Sequence, residues 1–526
     1  MLRVLPPLFL LLILAGCGAL RPAARPATRT EPPPARWPDG VAYEIFVQSF
    51  ADSDGDSVGD LRGVTASLDY LDRLGVRALW LMPISPSPSY HKYDVTDYLA
   101  VHPSYGTLDD ARELVRAAHA RNIAVVLDLV VNHTARAHPW FAAAAADPAS
   151  PYRGYYVWAD SAAVSGRMRG ATADAGTRRP WHRAPAQAPG DGERYYGLFG
   201  PHMPDLNFDH PAVRAQMIEA ARFWLRDVGV DGFRLDAAKH IYPDERAADS
   251  HAWWRTFRDS LRVVKPDVYL VGEVWDRPDV VAPYLGGLPS LFNFELAGRL
   301  TRAVRTGRAD GVAERLAETR ARFAQINPAF VDATFLTNHD QTRVMSVLGD
   351  STAKARVAAS LLLTLPGAPF LYYGEELGMR GRKPDEFIRE PFPWGGALAA
   401  RTPRWIAPRH TTADAIPTAA AQEADAASIL HHYRALVALR NAHPALGRGT
   451  FEPAPVGDAA VVSFVRADGG ERLWVAHNVS GRAVTVAVPE ALGAFGRVLY
   501  ASEPAVRRAP GVLILPPYAS AVLALR

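Results

Sequence analysis

The 526-residue chain has a single cysteine, Cys17, so it cannot form an internal disulfide. It also lacks a charge imbalance, because 58 lysines and arginines face 55 aspartates and glutamates, for a formal net charge of +3. A balance this close to neutral argues against a nucleic-acid partner and against a strongly acidic one. No internal repeat is visible, and biased composition is confined to residues 18–36. The rest has ordinary globular composition and is long enough for two or three domains.

The amino terminus combines a short apolar run with the single cysteine. Arg3 precedes the run from Leu8 to Leu14, which is much shorter than the roughly 20 residues that a membrane-spanning helix needs. A basic residue before a short apolar run is typical of a signal peptide. Small residues directly before Cys17 resemble a bacterial lipobox, and an ordinary secretory signal with an incidental cysteine is the alternative.

We therefore predict a lipoprotein signal peptide over residues 1–16, a lipid on Cys17 and a disordered tether over residues 17–36, which are rich in Pro, Ala and Arg. Gly18, not aspartate, follows the cysteine, and by the sorting rule for such lipoproteins this favours the outer membrane if the cell is Gram-negative. The expected location is an exported protein anchored to a membrane, in the outer membrane or at the cell surface or periplasm. The lipid anchor would be its only membrane contact.

The main part of the chain alternates strand-like and helix-like runs. Eight strand-like runs are each followed by a helix-like run, which predicts an α/β fold, a (β/α)₈ TIM barrel. The long polar segment at 134–209 predicts a small inserted domain B after strand three. Residues 37–133 and 210–448 would form the barrel, and residues 449–526 a C-terminal antiparallel β-sandwich. The predicted strands are 41–47, 77–83, 123–131, 230–236, 268–274, 290–294, 331–337 and 369–374.

Polar residues lie in, or directly after, the carboxyl ends of predicted strands three, four, five and seven. Barrel active sites are built at the carboxyl ends of the strands, so we expect these side chains to meet in one mouth. Arg234 and Asp236 lie on the same face of strand four, and the arginine would keep the carboxylate ionised, although an isolated pair of this kind is more often structural. The polar residues are Asp128, Asn132 and His133, then Arg234, Asp236, Lys239 and His240, then Glu273, and then His339 and Asp340.

Together with Met203-Pro204-Asp205-Leu206-Asn207, these clusters resemble the α-amylase family, glycoside hydrolase family 13. The resemblance is greatest to the bacterial subgroup intermediate between oligo-1,6-glucosidases and neopullulanases. It implies a retaining glycosidase with Asp236 as nucleophile, Glu273 as general acid/base and Asp340 as the third carboxylate. Retention needs two carboxyl groups about 5–5.5 Å apart, one ionised and one protonated. A catalytically inactive relative is the alternative.

The resemblance also implies residues that bind substrate. His133 and His339 would hydrogen-bond the sugar at the cleavage site, Tyr93 would stack on it, and Lys239 and His240 would hold the leaving-group side. For Tyr93 the alternative is a buried core tyrosine.

Arg389 belongs to an Arg-x-Pro-x-x-Trp element that resembles one in exo-acting glucosidases. In those enzymes an aspartate pairs with the arginine and closes the pocket. Tyr90 stands at that position here, which weakens the case for an exo-acting enzyme. We expect Arg234 to lie in the substrate site as well, oriented by Asp128.

The segment from Asp52 to Asp60 places carboxylates at every second residue, which suits a hard cation with oxygen ligands. It resembles the calcium loop after strand one in oligo-1,6-glucosidase relatives, with an exposed acidic turn as the alternative. The resemblance also leaves open a second calcium bound by Asn132, Asp205 and the His240 carbonyl. The first set of predicted ligands is Asp52, Asp54, Asp56, Asp60 and the Val58 carbonyl.

The sequence thus predicts a monomeric, retaining, endo-acting α-amylase with structural Ca²⁺. Its substrate would be the α-1,4 bonds of starch-type glucans and maltooligosaccharides. An exo-acting α-glucosidase or a transglycosylase of the same fold is the first alternative, since subsite shape separates these activities. A glucan-binding lipoprotein without turnover is the second alternative, and the intact set of three carboxylates argues against it.

Overall fold

Eight parallel strands close into one barrel, as the sequence predicts. Ala42 in the first strand pairs with Phe370 in the last, and this pairing closes the ring. The strands are β1 (Ala42–Ile45), β2 (Ala78–Leu81), β3 (Ala124–Leu129), β4 (Gly232–Leu235), β5 (Tyr269–Gly272), β6 (Ser290–Phe292), β7 (Val331–Thr334) and β8 (Ala368–Tyr372).

The computed structural model describes residues 37–164, 180–184, 192–489, 492 and 495–525. The signal peptide, Cys17 and the tether of the sequence prediction lie outside the described residues. Among the described helices, none is both long enough and apolar enough to cross a bilayer.

Helices connect the barrel strands. Ser67 separates the helices Leu61–Ala66 and Leu68–Leu74. Gly307 ends another helix at φ +72°, a left-handed conformation that glycine adopts without a steric penalty. The main helices are Leu61–Ala66, Leu68–Leu74, Leu108–His119, Pro139–Ala146, Pro211–Phe223, Ala247–Arg262, Phe294–Thr306, Val312–Ile326, Thr352–Thr364, Ala419–Ala424 and Ile429–Ala442.

The barrel interior is filled by side chains from alternate strand positions. Large residues such as Trp80, Phe292 and Phe370 share one buried cluster with small ones such as Ala42 and Ala333. The intervening strand residues belong to a second cluster, which also contains the apolar faces of the surrounding helices. This period of two fixes which strand residues can reach the mouth of the barrel.

Two further parts extend the barrel. Between β3 and β4, an antiparallel sheet of three short strands follows the helix Pro139–Ala146. After the barrel come a five-stranded and a three-stranded antiparallel sheet with an apolar cluster formed by both. The first sheet comprises Trp158–Asp160, Glu193–Tyr196 and Trp181–His182. The later sheets comprise Thr450–Pro453, Val461–Asp468, Glu471–Asn478, Ser520–Leu525 and Phe495–Ala501, and then Val484–Ala487, Val512–Leu515 and Arg507–Ala509.

Arg466 joins the C-terminal sheets to the barrel. It is fully buried in the five-stranded sheet, and its Nη1 donates to the carbonyls of Thr364 and Leu446, each at 2.8 Å. Its Nε donates to Thr450 at 2.9 Å and its Nη2 to Gly449 at 3.1 Å. Thr364 is the last residue of the helix Thr352–Thr364, so the cation also lies at the negative end of a helix dipole.

Candidate active site

The interior of the barrel becomes polar at the carboxyl ends of the strands. Ala42 belongs to the apolar interior cluster, and Glu44, two residues later, shares its face of β1. In the same way Val126 leads to Asp128, and Val271 leads to Glu273. The alternation that packs the barrel thus also aims a carboxylate from each of these strands into the mouth.

Arg234 lies at the centre of this mouth and is 1% exposed. The register of β3 and β4 pairs it directly with Asp128, whose two carboxylate oxygens accept from Nη1 at 2.9 and 3.0 Å. The same Nη1 donates to Asp236 Oδ1 at 2.6 Å, and Nη2 donates to Glu273 Oε2 at 2.5 Å. One guanidinium therefore holds the carboxylates predicted as nucleophile and general acid beside each other.

The environment of Glu273 favours its protonated form. Burial is the largest effect, and the negative charges of Asp236 and Asp340 add to it, while the Arg234 cation opposes them. Together they raise the pKa of Glu273 to about 7. The backbone N–H of Ala237 also reaches Glu273 Oε2 at 3.3 Å, from a residue at φ +46°. Such a left-handed residue costs about 1–3 kcal/mol, so this turn is held by its surroundings.

Asp340 is held in its ionised form by two cations. Burial would raise its pKa, but His339 and Arg389 lower it far below the usual range. Arg389 Nη2 donates to Asp340 Oδ1 at 2.9 Å, and His339 Nε2 lies 3.1 Å from Oδ2. Burial opposes protonation of His339, yet Asp340 and Glu44, which contacts its Nδ1, raise the pKa of His339 to about 10. This histidine is therefore a cation at neutral pH.

Tyr93 and His133 line the same mouth. The Tyr93 ring stacks on His339 with centroids 5.5 Å apart, and its hydroxyl donates to Asp128 at 3.0 Å. His133 is buried, and its Nε2 lies 3.2 Å from the Tyr93 carbonyl. Burial lowers the pKa of His133, so it is a neutral hydrogen-bonding group.

Lys239 and His240 follow Asp236 on a short helical turn, Ala238–Ile241. Lys239 forms ion pairs with Asp276 at 2.7 Å and Asp244 at 3.4 Å. The His240 ring packs edge-on against Phe199 of the insert, with centroids 5.8 Å apart. Two carboxylates thus orient Lys239, and His240 faces the insert.

Arg389 forms most of its hydrogen bonds with other residues of the mouth. Besides Asp340, its Nε donates to the His339 carbonyl at 3.0 Å, and its Nη1 lies 3.3 Å from the Tyr90 hydroxyl. The Tyr90 ring in turn stacks on Trp405, at 5.3 Å. Tyr90 therefore contacts Arg389, as the aspartate of the exo-acting enzymes would, but through a neutral hydroxyl.

The acidic loop brings three of its predicted ligands together. Asp52, Asp54 and Asp60 offer carboxylate oxygens that all lie within 4.8 Å of one another. Such a donor set fits a hard divalent cation. Asp56 is outside this group, and its Oδ1 accepts from Val58 N–H at 2.7 Å.

The residues of the possible second calcium site are adjacent. Asn132 Nδ2 donates directly to the His240 carbonyl at 2.8 Å. Asp205 is buried and accepts from Leu198 N–H at 3.0 Å, and burial raises its pKa to about 8. A buried carboxyl that forms no ion pair among the described residues fits a metal ligand, and the His240 carbonyl keeps a second lone pair beside its bond from Asn132.

Three residues of this mouth are not among those predicted from the sequence. Glu44 contacts His339, Trp80 Nε1 donates to Asp128 at 3.2 Å, and Asp276 orients Lys239. Glu44 could have been found, since an acid inside a buried apolar strand is itself informative. For Trp80 and Asp276 the sequence carries no such signal.

Comparisons with known proteins agree with this geometry. Residues 44–449 match the α-amylase catalytic domain, and residues 461–522 match the C-terminal domain of the α-amylase SusG. The chain is 45% identical over 449 residues to α-amylase 3 of Dictyoglomus thermophilum, covering 84% of this chain and 85% of that protein. It is 34% identical over 447 residues to a 4-α-glucanotransferase of Thermotoga neapolitana, covering 84% and 96%.

Structural similarity is equally extensive. The crystal structure of an α-amylase from H. orenii superposes with a TM-score of 0.84 at 42% identity, covering 93% of this chain and 99% of that one. The family match alone spans far more than half of the chain. The protein therefore belongs to the α-amylase family, glycoside hydrolase family 13.

Proposed function

We propose that the protein is a retaining, endo-acting α-amylase that hydrolyses α-1,4 bonds of starch-type glucans and maltooligosaccharides. The observation that carries the proposal is the Arg234 guanidinium, which contacts both Asp236 and Glu273. Met203–Asn207 supports its assignment to the subgroup intermediate between oligo-1,6-glucosidases and neopullulanases.

In this mechanism the Asp236 carboxylate attacks C1 of the sugar while the Glu273 carboxyl gives its proton to the departing glycosidic oxygen. A covalent glycosyl-Asp236 ester forms and the C1–oxygen bond breaks. Glu273, now ionised, takes a proton from water, whose oxygen attacks C1 and frees Asp236. Asp340 is ionised between His339 and Arg389, which suits it to bind sugar hydroxyls. Inversion at each of the two steps gives net retention.

The neutral contact at position 90 supports internal cleavage. In the exo-acting relatives an acid at position 90 pairs with the arginine and closes the pocket, but here Arg389 pairs with Asp340 and Asp385, and Tyr90 adds only a hydroxyl. The principal alternative is glucanotransfer, which the Thermotoga relative's name makes relevant.

Product analysis tests this proposal. Incubation of residues 37–526 with maltoheptaose should give mixed short maltooligosaccharides, released as α-anomers by proton NMR. Glucose as the only early product would contradict endo action. Products longer than maltoheptaose at low conversion would identify a transferase instead.

The pH dependence of hydrolysis should reflect Glu273. The acid must be protonated in the first step, and its pKa is raised to about 7. We therefore expect kcat/KM to fall about tenfold per pH unit above a midpoint near 7. Initial rates on maltoheptaose from pH 5 to 10 measure this midpoint. A constant rate up to pH 9 would show that Glu273 is not the titrating acid.

We further propose that Asp52, Asp54 and Asp60 hold a structural calcium. Binding to the folded state alone would stabilise it by about 2.7 kcal/mol when free calcium is 100 times its Kd. A chelator should therefore lower the Tm of the unsubstituted protein, and added calcium should restore it. Asp52→Asn should start with the lower Tm and respond little to either reagent. An unchanged Tm of the unsubstituted protein under chelator would contradict the site.

Finally, we propose that the protein is an exported monomer anchored by a lipid on Cys17. The support is the apolar run and the small residues before Cys17. In bacteria expressing the full chain, Cys17→Ser should move the protein out of the membrane fraction. Equal membrane association of both forms would contradict lipid anchoring.

A further inference from the structure

A cleft lies next to the active site on the Glu273 side. Its volume is about 630 Å³, and Lys239 and Trp275 lie at the end nearest the nucleophile. Its far wall is formed by residues of the helices Phe294–Thr306 and Val312–Ile326, among them Arg299 and Arg322. A second cavity of about 390 Å³ shares Glu295 and Arg299 with the first, so the cleft continues along these helices. The combined volume of the two cavities is larger than one sugar ring would fill.

Trp275 presents an aromatic surface to this cleft. Its ring stacks on the buried Phe294, with centroids 4.5 Å apart and planes 10° from parallel. Nevertheless 38% of Trp275 remains exposed, which is unusual for a large apolar residue in this chain. One side of the indole is thus fixed by packing while the rest borders the cleft, an arrangement suited to the C–H face of a sugar.

Many charged side chains line the cleft, but their net charge is close to zero. Five cationic and four anionic side chains line the first cavity. Most pair locally, for example Arg299 with Glu295 at 2.7 Å and Arg315 with Glu318 at 2.8 Å. An anionic polymer would find little uncompensated positive charge there. A neutral, hydroxyl-rich chain would find many oriented donors and acceptors.

We propose that the cleft between the helices Phe294–Thr306 and Val312–Ile326 is an extended binding site for α-glucan beyond the leaving-group end of the scissile bond. This inference rests on the proposed function, which gives Glu273 the leaving oxygen. It makes the helix pair a determinant of chain-length preference, because only long glucans reach the second cavity.

Gly298 offers a direct test, because it lines the second cavity and a Cβ built on it meets nothing within 4 Å. Gly298→Leu places a bulky side chain in the cleft, whereas Gly298→Ala is the matched control that leaves it open. Arg299→Ala is a second variant, which removes donors instead of adding bulk. We expect Gly298→Leu and Arg299→Ala to raise KM for amylose about three- to tenfold, the size expected for one or two lost hydrogen bonds. KM for maltotriose and kcat should stay unchanged in all three variants.

Unchanged KM for amylose in both Gly298→Leu and Arg299→Ala would overturn the inference. So would an equal rise for amylose and maltotriose, because it would place the effect at the catalytic centre. Failure of the unsubstituted protein to cleave amylose would instead overturn the proposed function. Melting temperatures within a few degrees of the unsubstituted protein establish that the variants fold.

Discussion

Asp236→Asn is expected to reduce kcat on maltoheptaose by at least about 10⁴-fold while leaving maltoheptaose binding within a few-fold. The amide has nearly the shape of the carboxylate and can still meet Arg234, but it cannot form the ester with C1. Initial-rate assays measure the first effect, and isothermal titration calorimetry measures the second.

The exposed Asp259, on the helix Ala247–Arg262, provides a matched control, since Asp259→Asn makes the same chemical change away from the site. Its kinetics should equal those of the unsubstituted protein. If Asp236→Asn kept a tenth of the activity, another residue would be the nucleophile. If the unsubstituted protein bound maltoheptaose without turning it over, the glucan-binding lipoprotein would be the better description.

Arg234→Met should have the largest combined effect on activity and stability. It leaves Asp128, Asp236 and Glu273 around a buried position without their shared cation. Breaking a buried ion pair by removing one partner costs about 3–5 kcal/mol. We expect the free energy of unfolding at pH 7 to fall by about that amount, measured by denaturant titration, and kcat to fall at least about 10³-fold.

The loss of stability should depend on pH. The three carboxyls would be repelled by one another in the variant, so acidification that protonates them should narrow the difference from the unsubstituted protein. Arg234→Lys is the conservative control, because it keeps the charge but cannot contact both acids through a planar fork. It should recover part of the stability and little of the activity. Equal stability of the methionine variant at pH 7 would show that the three acids do not depend on Arg234.

The sequence predicted the mouth of the barrel well for a physical reason. Polar residues at the carboxyl ends of otherwise apolar strands are conspicuous, and predicted strands three, four, five and seven all have them. Parallel strands then bring those ends together irrespective of the connections between them. Glu44 escaped because it is the single polar residue among six apolar or aromatic ones in its predicted strand, so no cluster of polar residues marks the end of that strand.

Element boundaries were predicted less well. All eight strands end earlier than predicted, for example Ala124–Leu129 within 123–131, because apolar residues continue into the mouth after strand pairing stops. Ser67 breaks a helix whose apolar periodicity continues past it, and its hydroxyl bonds the Gly63 carbonyl. The strands of the insert have two to four residues and carry too short a pattern to be read from sequence.

The burial of Arg466 has a consequence for how the molecule comes apart. Its guanidinium bonds the final carbonyl of a barrel helix from within the following sheets, so separation of the two parts would break this buried hydrogen bond and expose the apolar surface around it. Heat should therefore melt the barrel and the C-terminal sheets in one cooperative transition.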